Sequence, residues 1–188
     1  MSTHEPSATS EPALTPAEEQ RYAELQQMAL DFARNGETDT LVSMLRAGLA
    51  PNLADHKGNT LLMLAAYHGQ LAAAQALLDY GAEVDRPNDH GQTPLGGVAF
   101  KGDLALAELL LDHGADLEAD NGLGMTPLMF AAMFGRHEMV ALLRDRGASL
   151  HQRARFGISA ALLVRLARGL PRLRAFFHAS SRSSAIYH

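Results

Sequence analysis

The chain has 188 residues, a formal net charge of −5, no cysteine and a hydrophobic share of 47%. The lack of cysteine excludes a disulfide framework, a thiolate metal site and a thiol nucleophile, while the apolar content suffices for one compact domain or one elongated array. The first thirty residues carry neither the basic start nor the apolar run of a secretory signal, and no segment is apolar enough to span a membrane. We therefore expect a cytoplasmic protein that does not bind membranes.

The charge differs sharply between the two ends of the chain. Residues 1–150 contain 9 basic and 21 acidic side chains, whereas residues 151–188 contain seven arginines and no Asp, Glu or Lys. Such a basic end can mark an anionic partner, or it can be attracted to the acidic body of the same molecule. We favour the second interpretation and do not expect a nucleic-acid partner, because a nucleic-acid site would not normally be surrounded by repelling charge.

At the amino terminus, residues 1–14 are dominated by Ser, Thr, Pro and Glu, and we expect them to form a disordered arm. The next residues, Thr15-Pro16-Ala17-Glu18, are typical of a capping box with proline at the first helical position. An amphipathic helix is therefore predicted from about residue 16 to residue 34.

A repeat of constant length organises the rest of the chain. Four sets of residues keep the same step in phase: Gly48, Gly81, Gly114 and Gly147; Gly36, Gly69, Gly102 and Gly135; Gly58, Gly91, Gly124 and Gly157; and the hydroxyl residues Thr60, Thr93, Thr126 and Ser159. A fixed period of this length is the signature of a stacked repeat protein.

Each repeat is predicted to contain two helices and a loop. The hydroxyl of Thr93 or Thr126 can cap a first helix whose first residue is the following proline. A second helix with apolar residues at helical spacing ends at Gly81, Gly114 or Gly147, where glycine supplies a left-handed conformation. The segment that follows turns at Gly91 or Gly124 and is predicted to form a hairpin-like finger.

The strings Gly91-Gln92-Thr93-Pro94-Leu95 and Gly124-Met125-Thr126-Pro127-Leu128, with the Leu-Leu-x-x-x-Gly-Ala pattern, resemble the ankyrin repeat. The string from Gly58 to Gly69 is similar to small bacterial ankyrin repeat proteins. The resemblance implies an all-α solenoid of stacked helix-turn-helix units with hairpin-like finger loops. The expected units are a domain over 15–178, divided into an amino-terminal capping repeat (24–54), full repeats (55–87, 88–120 and 121–153) and a carboxy-terminal cap (154–178), followed by a tail (179–188).

Some positions depart from the family pattern. The usual histidine after Thr-Pro-Leu is replaced by Met63, Gly96 and Met129, so that methionine would supply packing where the family uses polarity. Gly96 and Gly97 stand side by side inside a predicted helix, which leaves room for a ligand, softens the turn or allows tight packing between repeats. We favour tight packing. In the last unit the turn glycine is displaced to Gly169, and Pro171 begins a final helix.

No catalytic site can be composed from residues that the repeat brings together, and we expect neither an enzyme nor a cofactor. His137-Glu138 lacks the second histidine of a zinc protease helix. His56, His68 and His90 fall on one face of adjacent repeats and could bind a metal, but we interpret them as ordinary contact residues.

The resemblance implies that the finger tips and the exposed ends of the first helices form a concave binding face. The candidate partner-binding residues on it are His56, Lys57, Asn59, Tyr67, His68, Asp89, His90, Gln92, Phe100, Lys101, Leu123, Met125, Met133, Phe134, Arg155 and Phe156. Towards the carboxy terminus these residues, with Ile158, become apolar and predict an exposed apolar patch. The patch either grips an apolar segment of a partner with acidic neighbours or is covered by the tail 179–188, and we favour the partner.

The sequence thus predicts a monomeric, non-catalytic protein-interaction module, a scaffold or adaptor that binds another protein on its concave face. The alternative is a regulatory or protective partner of a specific enzyme, such as an inhibitor, an immunity protein or a stress-defence accessory. A third hypothesis, nucleic-acid binding through the arginine-rich end, predicts an affinity that falls steeply with salt.

Overall fold

A computed structural model of the chain describes residues 15–155 and 157–169. Within these residues the chain forms nine α-helices and no β-strand. The helices are α1 (Pro16–Asn35), α2 (Thr38–Arg46), α3 (Leu61–Tyr67), α4 (Leu71–Asp79), α5 (Pro94–Lys101), α6 (Leu104–Asp112), α7 (Pro127–Met133), α8 (His137–Asp145) and α9 (Ala160–Gly169). The predicted all-α fold is confirmed. The predicted arm 1–14, the helix from Pro171, the tail 179–188 and the contact residue Phe156 lie outside the described residues.

The helices form two rows. In one row α1, α3, α5, α7 and α9 each pack against the next, and in the other α2, α4, α6 and α8 do the same. Each of α1, α3, α5 and α7 also packs against the helix that follows it in the chain, as α3 does with α4 and α5 with α6. The hydrophobic core lies between the rows and runs through all of the described repeats. The repeat boundaries given above stay predictions.

Hydroxyl caps begin the helices of the first row. The side chains of Thr60, Thr93 and Thr126 accept hydrogen bonds from the backbone amides three residues later, at 3.1, 3.2 and 3.4 Å. At α1 the predicted capping box is present, because Thr15 accepts from the amide of Glu18 while the Glu18 carboxylate accepts from the amide of Thr15. These bonds satisfy amides that have no partner within the helix.

Left-handed glycines follow the helices of the second row. Gly81, Gly114 and Gly147 have φ angles of 85°, 87° and 105°, and each lies two residues beyond the last helical residue. A Cβ atom at any of the three would meet no neighbour within 4 Å. Glycine is required at these positions for its backbone conformation and not for space.

The residues that replace the family histidine are buried in the interior. Met63 and Met129 are fully buried, so their side chains supply packing, as predicted. Gly96 makes room for the side chain of Asn121 from the next repeat, which occupies the space that a Cβ atom on Gly96 would fill. The interpretation of Gly96 as a site of tight packing between repeats is therefore confirmed.

Asn121 uses this space to hold the start of α5. Its Oδ1 accepts hydrogen bonds from the Thr93 amide (2.8 Å) and the Thr93 hydroxyl (3.0 Å), while its Nδ2 donates to the carbonyl of Ala119 (2.9 Å). Both side chains are buried. Burial of these polar groups is tolerated because they satisfy one another.

The first testable consequence concerns Gly114. Gly114→Val forces a β-branched residue into the left-handed region and is expected to lower the free energy of unfolding by about 1 to 2 kcal/mol or more. Urea unfolding followed by circular dichroism measures it. Gly114→Asn is the control, since asparagine tolerates this conformation and should cost less; equal stability of the valine variant would contradict the assigned helix end.

The second concerns the pair formed by Gly96 and Asn121. Alanine at a helical position normally gains about 1 kcal/mol over glycine, but here its Cβ collides with the Asn121 side chain. Gly96→Ala is therefore expected to destabilise the wild type and to be neutral or stabilising in the background of Asn121→Ala. A double-mutant cycle by urea unfolding measures this coupling. Additive effects of the two substitutions would mean that Gly96 is not required for the packing of Asn121.

Candidate partner-binding face

In the described chain four fingers connect the rows, and an equivalent backbone hydrogen bond spans the turn of each. In each finger a backbone amide donates to the carbonyl four residues later, at 2.8 to 3.0 Å; the pairs are Asp55 and Asn59, Asn88 and Gln92, Asn121 and Met125, and Ala154 and Ile158. Isolated bridges join Ala54 to Thr60 and Arg153 to Ser159. The predicted hairpin-like fingers are therefore present, with their turns at Gly58, Gly91, Gly124 and Gly157.

Side chains at the base of the fingers hold their shape. In the first two fingers Oδ1 of Asp55 and Oδ1 of Asn88 each accept from the amides two and four residues later, at 2.9 to 3.0 Å. In the third finger Asp120 takes over this role and accepts from the amides of Gly122 and Gly124, both at 2.8 Å. The acceptor is one residue earlier in this finger because the Asn121 side chain is bonded instead to Thr93 of the preceding repeat.

The fingers are not all joined in the same way. The Asp89 amide donates to the Lys57 carbonyl (3.0 Å) and the Arg155 amide to the Leu123 carbonyl (2.7 Å). Between the finger of His90 and the finger of Leu123, in the described chain, no such backbone bond is formed. At this junction the link is the side-chain bond of Asn121 to Thr93.

The structure corrects the prediction for Asn59. Only 1% of this residue is exposed, since its Oδ1 accepts from Nδ2 of Asn88 (2.9 Å) and its Nδ2 donates to Oδ2 of Asp55 (3.0 Å). Asn59 thus links two fingers and is not accessible to a partner. The sequence does show Asp55, Asn88 and Asn121 at the same position of successive repeats, which indicates a recurring role at the base of the fingers but not that Asn59 bonds to Asp55 and Asn88.

The other candidates divide by exposure. Exposed residues are His56, His68, Asp89, His90, Lys101, Leu123 and Arg155, half-buried ones are Lys57, Gln92, Phe100, Met125, Met133 and Phe134, and Tyr67 is 8% exposed. In the predicted apolar patch Leu123 is 54% and Ile158 is 40% exposed. The near burial of Tyr67 leaves little of its surface for a partner.

Three aromatic side chains at the ends of α3, α5 and α7 form a row across the repeats, here called the aromatic row: Tyr67, Phe100 and Phe134. The rings of Tyr67 and Phe100 are nearly parallel with centroids 6.4 Å apart, and Phe134 meets Phe100 edge to face at 4.4 Å. Lys101 Nζ lies 4.4 Å from the centroid of the Tyr67 ring. Burial raises the pKa of Tyr67, so its hydroxyl stays neutral at physiological pH.

Side chains from the next repeat bind the ends of two first-row helices, α5 and α1. Arg136 donates from Nε to the Phe100 carbonyl at 2.9 Å, and Gln70 donates from Nε2 to the Arg34 carbonyl at 2.9 Å. Each bond satisfies a carbonyl near the end of a helix. The end of α5, which carries Phe100, is therefore held in place before any partner binds.

The pKa values of two carboxylates, Asp55 and Asp85, are shifted in opposite directions. Burial works to raise the pKa of Asp55, but hydrogen bonds from Asn59 and Lys57 and the charge of Arg34 outweigh it, and the pKa is lowered. Burial raises the pKa of Asp85, and the nearby Asp116 carboxylate adds to this effect against a hydrogen bond from the Asp116 amide.

The described residues offer little for other chemistry. Among residues 15–155 and 157–169, no three side chains of His, Asp or Glu come together in a way that could hold a metal ion. His56, His68 and His90 are thus not combined into a ligand set there. Nor does any helix in this part of the chain have the length and apolarity needed to cross a bilayer.

Comparison with known proteins agrees with this architecture. A family profile described as ankyrin repeats, in three copies, matches residues 29–121 and 86–154, which together make up more than half of the chain. The chain belongs to the ankyrin repeat family. An ankyrin repeat protein of Pseudomonas aeruginosa is 56% identical over 39 residues, which are 21% of this chain and 23% of that protein. The match thus spans less than a quarter of the relative.

The third prediction uses the two carboxylates. Because the folded-state pKa of Asp55 lies below its usual value of 3.8, its charge stabilises the fold above that value and this contribution is lost as the pH falls through the folded-state pKa. Asp55→Asn is expected to cost roughly 1 kcal/mol at pH 7, the difference between charged and neutral acceptors, and to weaken the loss of stability in acid.

Asp85→Asn provides the matched comparison. A raised folded-state pKa means that the charged form of Asp85 destabilises the fold at neutral pH, and that this penalty disappears as the pH falls through the folded-state pKa. The variant is therefore expected to be as stable as the wild type or more stable at pH 7. Urea unfolding at pH 7 and in mild acid measures both variants. An equal change in the free energy of unfolding in both variants would contradict the opposite pKa shifts of Asp55 and Asp85.

Proposed function

We propose that this chain is a non-catalytic scaffold or adaptor that binds another protein on its concave face. Ankyrin repeats are generally protein-interaction modules, and this chain contains them. The observation that carries the proposal is the aromatic row crossing three repeats, with the exposed Leu123 and Ile158 towards its carboxy-terminal end. Exposed apolar side chains and aromatic rings held in place by their neighbours are typical of a contact surface.

The backbone conformation and the exposure of Leu123 also support the proposal. It has a φ of 60° between two glycines with φ of 94° and 72°, and more than half of the residue is exposed. A leucine in the left-handed region costs about 1 to 2 kcal/mol that glycine would avoid. The Leu123 carbonyl joins two fingers by accepting from the Arg155 amide, but the exposed side chain contributes little burial, and contact with a partner supplies a reason for a leucine here.

The rigidity of the face favours binding further. Phe100 is held by ring contacts on both sides and by the bond of Arg136 to its carbonyl. Association costs free energy for each side chain that becomes ordered, and side chains already fixed in the free protein avoid most of this cost. Partner binding would thus require little rearrangement of the array, and no turnover is proposed.

The fourth prediction tests this face. Leu123→Asp and Phe134→Asp, the latter alone or with Met133→Asp, are expected to weaken capture of a partner by about 30-fold or more, the size of a hot-spot loss of about 2 kcal/mol. The partner is first identified by affinity purification and mass spectrometry from cytoplasmic extract, in line with the expected cytoplasmic location. It is then purified, and its affinity for each variant is measured by calorimetry.

Leu71→Asp serves as the control, because Leu71 is also exposed but lies on α4, in the second row of helices. It should leave the affinity unchanged. Circular dichroism and thermal unfolding show whether each variant keeps the fold; Leu123→Asp should keep it best, since aspartate tolerates the left-handed region better than leucine. Unchanged affinity in the Leu123 and Phe134 variants would refute the proposed face. A captured enzyme whose activity changes on binding would instead favour the regulatory alternative.

A further inference from the structure

The candidate face includes three of the 16 basic side chains of this acidic chain: Lys57, Lys101 and Arg155. Residues 1–150 contain 21 acidic and 9 basic side chains, yet both lysines of the chain, Lys57 and Lys101, belong to the face. Asp89 is the acidic member of the candidate residues, while Asp55 and Asp120 in the fingers accept hydrogen bonds from amides of their own fingers. The candidate residues therefore contain more cationic than anionic side chains, in contrast to residues 1–150 as a whole.

Lys101 shows how this charge is presented. Its ammonium group lies over the Tyr67 ring, and in the described part of the chain no carboxylate lies within ion-pair distance of it. A cation above an aromatic face is held by the ring and still keeps hydrogen-bond donors for a further anion. Lys101 is therefore oriented for a carboxylate that the described chain does not provide.

The basic and apolar parts of the face occupy different repeats. Lys57 and Lys101 belong to the second and third repeats, Leu123 and Phe134 to the fourth, and Arg155 follows at the next finger. Neighbouring helices in a row stand about 8 to 10 Å apart. The lysines and the apolar centre are thus separated by about one to two repeats, a distance that an extended peptide spans in roughly three to six residues.

We infer that the face takes a linear segment of the partner in which an apolar anchor is flanked by acidic residues, with the anchor at Leu123 and Phe134 and carboxylates at Lys101 and Arg155. This inference rests on the proposed function and specifies the partner's chemistry. The tail 179–188 of the chain itself does not match it, because that segment contains Arg182 and no acidic residue. A nucleic acid would match the positive charge but would leave the apolar centre without an anchor.

The test begins with a probe that makes no assumption about the partner. A phage library of random peptides, long enough to span two repeats, is selected on the full chain, and the enriched sequences are expected to contain Leu, Phe or Met flanked by Asp and Glu. A fluorescein-labelled form of the most enriched peptide is then titrated by anisotropy. Its version with Asn and Gln in place of the acidic residues should bind at least about tenfold more weakly, a loss equivalent to about 1.4 kcal/mol.

Variants of the chain locate the carboxylates. Lys101→Glu and Arg155→Glu are each expected to weaken the acidic peptide about tenfold, whereas Lys101→Arg retains binding because it keeps the charge. The control is Arg144→Glu, an exposed arginine on α8 in the second row of helices, which should change the affinity less than about twofold. A peptide with lysines in place of its acidic residues should regain affinity for Lys101→Glu, which a purely structural role of Lys101 would not produce.

Each contrary outcome has a defined meaning. Enriched peptides without acidic residues, no enrichment at all, equal losses in Lys101→Glu and Arg144→Glu, or competition by an oligonucleotide in place of an acidic peptide would overturn the inference. None of these results alters capture of the folded partner, which the Leu123→Asp and Phe134→Asp variants test separately. Failure of the acidic-peptide test therefore leaves the proposed function standing, whereas refutation of the face by the Leu123 and Phe134 variants would overturn both.

Discussion

The register of the helices depends on a backbone constraint that recurs once in every repeat. Helices α3 to α8 have seven to nine residues, a length at which an isolated helix is marginal in water. They persist because a hydroxyl cap fixes where a first-row helix begins and a left-handed glycine fixes where a second-row helix is followed by its turn. With both ends defined, each repeat presents its apolar residues at the same height, and the core runs continuously from one repeat to the next.

The features that the sequence predicts well are local ones. A threonine before proline, or a glycine in a turn, specifies its own backbone within three or four residues, so helix starts, turns and fingers follow from the pattern. Asn59 could not be placed in this way. Its burial depends on Asp55 in its own finger and on Asn88 in the next, and the sequence shows both residues without showing that their side chains meet that of Asn59.

The candidate face shows the same division. The repeat places Tyr67, Phe100 and Met133 at equivalent positions, yet the ring against Phe100 belongs to Phe134, one residue further on. Which of two adjacent residues, Met133 or Phe134, packs against Phe100 depends on side-chain packing, which the period of the repeat does not specify. The apolar character of most candidate residues from Leu123 onward, in contrast, is visible in the sequence and agrees with the exposure of Leu123 and Ile158.

The contact between Gly96 and Asn121 limits how freely repeats can be exchanged in this molecule. Repeat arrays are usually treated as interchangeable modules, because each unit touches its neighbours through similar surfaces. Here Gly96 of the third repeat has no side chain, and the side-chain amide of Asn121 from the fourth repeat occupies the space. Insertion, deletion or exchange of repeats at this junction separates Gly96 from Asn121, so the third and fourth repeats have to be moved together when the array is re-engineered.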